Sequence, residues 1–122
     1  MDLVWPRISP RAQLAPGVCI FGNVHIGADA QINARVSIRG DYDAVKIGRN
    51  VQLHQGVSVH TNYQKPCVIE DDAIIESGTV VHACTVQKAA RVGGNSTLLD
   101  GCVITTASAI PASSLIGYDK IA

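Results

Sequence analysis

An apolar residue returns at every sixth position along most of this chain, and that period excludes most folds. One run reads Ile8, Leu14, Ile20, Ile26, Ile32 and Ile38; a shorter one reads Ile47, Leu53 and Val59. A last run reads Val80, Val86, Val92, Leu98, Ile104, Ile110 and Ile116. Four places after these leaders, small or β-branched residues recur, among them Val18, Val24, Ala30, Val36, Val51, Val57, Cys84, Ala90, Ser96, Cys102 and Ser108. Glycine often follows a leader directly, as in Ile26-Gly27, Ile47-Gly48, Val92-Gly93 and Ile116-Gly117. A period of six matches neither the turn of an α-helix nor the alternation of a sandwich strand carried across loops. It fits a coil of short strands joined by tight turns, the leader pointing inward and glycine relieving crowding at the corners.

The pattern resembles the left-handed parallel β-helix, an all-β, single-stranded solenoid in which three hexapeptides make one triangular coil. From Ile8 to Ile116 it gives about six coils. The chain ends soon after the last repeat, so a C-terminal helix is expected to be short or absent. Composition agrees: fourteen valines and thirteen isoleucines stand against six leucines, which favours extended packing. The 122 residues suit a single domain spanning 1–122, and at 47% hydrophobic the chain is too apolar for disorder. A net charge of zero with scattered charges argues against a nucleic-acid surface. No stretch approaches the ~20 apolar residues of a membrane span. Residues 1–17 carry three prolines and two arginines and no apolar core, unlike a secretory signal. The expected compartment is the cytoplasm. Cys19, Cys67, Cys84 and Cys102 form no C-x-x-C pair, and Cys84 and Cys102 read as reduced core residues stacked one coil apart.

The departures from six flank the histidines. Ile38 to Ile47 is nine, which places three extra residues within 41–46. Val59 to Val68 is also nine, leaving a small loop near 61–66. Between Val68 and Val80 the register is ambiguous, because Ile69 and Ile75 also suit as leaders and imply a one-residue slip before Val80 or Val81. Counting hexads places Arg39, His60 and His82 in one file, each directly after a leader. The same count places Ser77 one coil beyond His54, on the preceding face. Two imidazoles at coil spacing suit zinc, iron or cobalt, or form a plain hydrogen-bonded pair on a solenoid face. A catalytic zinc takes three protein ligands, so two fall short.

Arg39-Gly40-Asp41, Ile47-Gly48-Arg49-Asn50, Gln55-Gly56, His60, Glu70-Asp71-Asp72 and Val81-His82-Ala83-Cys84 together resemble the γ-class carbonic anhydrase family. The resemblance implies a homotrimer with Zn2+, Fe2+ or Co2+ between subunits, held by three histidines. Two of those ligands match His60 and His82. The third lies in a V-G-H-G segment that reads Ile75-Glu76-Ser77-Gly78 here, so Ser77 replaces it. The family's N-x-Q segment reads Gln52-Leu53-His54, which brings His54 forward as a substitute ligand from a neighbouring subunit. Arg39 and Asp41 match an inter-subunit ion pair that orients bicarbonate, with Gln52 or Gln55 as further contacts to the anion. The loop 61–66 has no carboxylate, so the acidic proton-shuttle loop of some members is absent.

The activity so implied is metal-dependent hydration of carbon dioxide, weakened or lost through Ser77. A catalytically silent trimer serving as scaffold or assembly subunit is the rival, favoured by Ser77 and opposed by Arg39, Asp41, His60 and His82. Acyl transfer from coenzyme A is a third reading, against which stands the lack of a protruding loop or extra C-terminal element.

Overall fold

A computed structural model describes residues 6–122; the first five residues of the 1–17 segment lie outside the described residues. The chain winds into a parallel β-solenoid of about six turns, with no helix among the described residues. No helix among those residues is long and apolar enough to cross a membrane.

Three faces stack in register. The first carries 19–22, 37–40, Ser58–His60, Val80–His82, Thr97–Leu98 and Leu115–Ile116. The second carries Arg7–Ile8, 24–26, 45–47, Cys67–Ile69, Thr85–Val86 and Val103–Ile104. The third carries Gln13–Leu14, Gln31–Ile32, Gln52–Leu53, Ile74–Ile75, Arg91–Val92 and Ala109–Ile110. Strands Cys19–Ile26 and Ser37–Ile47 run from the first face to the second without a break and join them into one sheet.

The leaders fill the interior: Ile32, Ile38, Leu53, Val59, Ile69, Ile75, Leu98 and Ile104 are essentially inaccessible. A branched side chain holds one preferred rotamer on a pleated surface, so identical shapes stack coil upon coil at little entropic cost. Corners form at the third residue after the leader, which takes a left-handed backbone: Asp29 after Ile26, Asn50 after Ile47, Asp72 after Ile69 and Asn95 after Val92. Asn and Asp tolerate that region better than most residues. Gly27, Gly48 and Gly93, directly after their leaders, serve close approach instead. A Cβ on Gly93 would lie 2.4 Å from the Ala112 nitrogen.

Two expectations are corrected. Val81, not Val80, is the inward leader, since Val81 is fully buried and pairs with Val59. The coil then loses one residue between Val81 and Val86, where Ala83 turns with a φ of 47°. Ile69, not Val68, leads the second face, so the loop before it is one residue longer than the hexad count gives. The shift also brings Cys67 beneath Cys84 and Cys102, making a buried file of three free thiols.

Candidate metal centre

Each coil turns one outward side chain per leader onto the first face, and these stack as Phe21, Arg39, His60 and His82. The file expected from the hexad count is therefore present. The His60 and His82 ring centroids lie 6.1 Å apart in an edge-to-face arrangement at 78°. Arg39 donates to Asp41 across 3.0 Å, so in the single chain this pair closes on itself.

His60 sits in the middle of the file and responds to its neighbours. Burial, then the positive charge of Arg39, then His82, push it below the ordinary histidine value, while Asp41 opposes the shift. A neutral imidazole is the form that ligates. Its Nε2 is buried and meets no hydrogen-bond partner, a state that a buried polar atom rarely keeps without a ligand or ordered water.

His82 is anchored differently, through its Nδ1 to the carboxylate of Asp100. Asp100 lies in the turn after the next coil's strand and is nearly buried. Its other oxygen accepts from the Asn62 side chain at 2.5 Å. Burial would raise the Asp100 carboxyl, but the hydrogen bonds from His82 and Asn62 outweigh it and hold the group below the usual aspartate range. Sequence reasoning missed Asp100, whose signal is only its place beside the leader file: it follows Leu98 by two.

The two insertions meet beside this file. The backbone nitrogens of Tyr42 and Asp43 each lie 3.3 Å from the Thr61 hydroxyl, and the Tyr42 and Tyr63 rings sit 5.2 Å apart. Both rings are exposed.

Gln52, His54, Gln55 and Ser77 lie elsewhere, on or beside the third face. His54 Nε2 approaches Gln52 Oε1 at 3.3 Å. The residue in register with His54 is Glu76, because Leu53 pairs with Ile75; Ser77 falls in the turn, level with Gln55. The expected His54–Ser77 alignment is thus off by one: His54 directly follows its leader Leu53, whereas Ser77 stands two places after Ile75. Glu76 instead binds Arg91 through two contacts, 2.8 and 2.6 Å. A groove of about 310 Å³ between Lys46, Glu70, Asp71 and Lys88 belongs to the second face and is separate from the histidines.

His60 and His82 are the two side chains of the file that could ligate a metal: His60 has an unpartnered buried nitrogen, and His82 has a carboxylate behind it. Among the described residues, no group of three His, Cys, Asp or Glu side chains suited to a metal is gathered within the chain. A metal held by His60 and His82 would need further donors from outside these residues.

No protein-family model matches the chain. The carnitine operon protein CaiE of Proteus sp. is 29% identical over 113 residues, covering 93% of this chain and 57% of that protein. Gamma carbonic anhydrase 1, mitochondrial, of Arabidopsis thaliana is 30% identical over 117 residues, covering 91% of this chain and 42% of that protein. The chain spans about half the length of these relatives. A hexapeptide transferase family protein from Anaplasma phagocytophilum superposes with a TM-score of 0.93 at 32% identity, over 97% of this chain and 69% of that one. With its stacked hexads and its histidine file, the chain belongs to the γ-carbonic anhydrase-like hexapeptide-repeat family.

Proposed function

We propose that this chain forms a homotrimer holding a divalent metal, zinc or else iron or cobalt, at His60 and His82 between subunits, and that it binds bicarbonate beside Arg39. The observation that carries the reading is the in-register pair of imidazoles on adjacent coils, with Arg39 one coil before them. Bound there, a divalent metal supplies the Lewis acidity that lets water lose a proton near neutral pH. The side chains do the rest. His60 offers an unprotonated nitrogen, and Arg39, braced by Asp41, presents guanidinium donors to an anion. Gln52 and Gln55 of a neighbouring copy supply amide contacts to it. Ser77 stands at the family's third ligand position, where a hydroxyl is a poor substitute for imidazole, and His54 of a neighbouring copy is the replacement.

Carbon dioxide hydration is accordingly expected to be weak or absent. A stopped-flow rate equal to that of an efficient carbonic anhydrase would contradict the degenerate site, and unchanged metal content in His54→Ala would remove His54 from the ligand set. Ser77 also favours a second reading, a silent assembly subunit of the same fold, which a folded, metal-free protein would support. The likeness to a hexapeptide transferase keeps acyl transfer as a third. Thermal stabilisation by acetyl-coenzyme A but not by zinc would favour it over the metal reading.

A further inference from the structure

We infer that Asp100 is a positioning residue that fixes the tautomer and orientation of His82, and that Asn62 holds Asp100 for that task. An ionised carboxylate only accepts hydrogen bonds, so the contact between Asp100 Oδ1 and His82 Nδ1 requires the proton on Nδ1. In the neutral ring Nε2 then keeps its lone pair free. The ring is otherwise under little constraint, since its side chain is about a third exposed, 36%, whereas Asp100 is at 12%. A partly exposed imidazole without such a partner samples both tautomers and several ring angles.

The carboxylate is itself held from the other side. Asn62, in the loop between the His60 strand and the next strand, donates to Oδ2 at 2.5 Å. Gly101 follows Asp100 with a φ of 77°, making the turn that sets the carboxylate on the rim of the first face. Three elements distant in sequence thus converge on one ring: the loop with Asn62, the strand ending at His82 and the turn with Asp100. This explains why the loop after His60 does something although it carries no acid. Its amide locks the carboxylate that locks the second imidazole.

The inference rests on the proposed metal reading for its purpose but not for its test. The first experiment is nitrogen-15 NMR of the histidine rings in metal-free protein, at a pH where the imidazoles are neutral, comparing the parent with Asp100→Asn and Asn62→Ala. In the parent, His82 is expected as the single tautomer with the proton on Nδ1. In Asp100→Asn it is expected to shift towards the other tautomer or a mixture, with Asn62→Ala intermediate and the His25 signals unmoved. A parent His82 protonated on Nε2, or a His82 signal unchanged in Asp100→Asn, would overturn the inference.

The second experiment is titration with cobalt alone, read by visible absorption. Loss of a carboxylate behind a ligating histidine typically weakens metal binding about 10–100-fold, and that loss is expected for Asp100→Asn, with Asp100→Glu partly restoring affinity. Equal cobalt affinity in the parent and Asp100→Asn would overturn the inference. A parent that takes up no cobalt while its His82 tautomer follows Asp100 would sink the metal reading and sustain the positioning role.

Discussion

Glu76 shows how the outward side chains of one coil are tuned by the next. Its hydrogen bonds from Arg91, which lies one coil on in register with Ile74, hold its carboxyl below the ordinary glutamate value despite some desolvation. A depressed carboxylate contributes stability above its unfolded pKa and loses it as pH falls through the folded one. Glu76→Gln is therefore expected to melt slightly below the parent at neutral pH, the gap closing as the medium is acidified through and below the glutamate range. Melting temperatures measured across that range check it, and a gap that persists undiminished in acid contradicts it. The pair is exposed, so the effect is small. At this scale the sequence was readable where a residue directly follows its leader. Arg39, His60 and His82 keep that offset through both insertions. Asp100 was not readable, because its contact with His82 spans two coils and depends on side-chain reach rather than on register.

The strands and turns carry the repeat, and their tolerances are set by coil-to-coil spacing. Gly40, between Arg39 and Asp41, has no room for a side chain: a Cβ there would lie 2.4 Å from the Asn23 carbonyl oxygen, which is backbone and cannot swing away. Gly40→Ala is expected to cost about 1–3 kcal/mol through forced backbone shifts, seen as a lower thermal or denaturant midpoint. A midpoint at or above that of the parent would contradict the packing. Most of the element pattern was legible, since inward Ile, Leu and Val at six-residue spacing specify both strand and face. The slip was not. Val80 and Val81 are both branched, and only burial against Val59 decides which points inward. On the third face the hexad count overshoots by one: Ser77 stands two places after its leader Ile75, so Glu76 lies opposite His54.

The proposed trimer would turn the first face inward. Phe21, 58% exposed, extends the file of Arg39, His60 and His82, and an exposed aromatic next to a charged cluster is the composition of an interface. Phe21→Glu is expected to yield monomers by light scattering while the β-rich circular dichroism spectrum persists; an unchanged trimer would remove Phe21 from the contact, and a monomeric parent would remove the trimer. The solenoid was legible at this scale because its core is one-dimensional, each coil touching only its neighbours. The proposed site between copies is not legible in this way, because no spacing within one chain reports what a second copy presents. The most direct test is metal content per chain, measured by mass spectrometry on untagged protein purified without chelator. The account predicts about one equivalent in the parent, lost in His60→Ala and in His82→Ala while both variants stay folded. A parent free of metal, or a His60→Ala variant that retains it, would contradict the account.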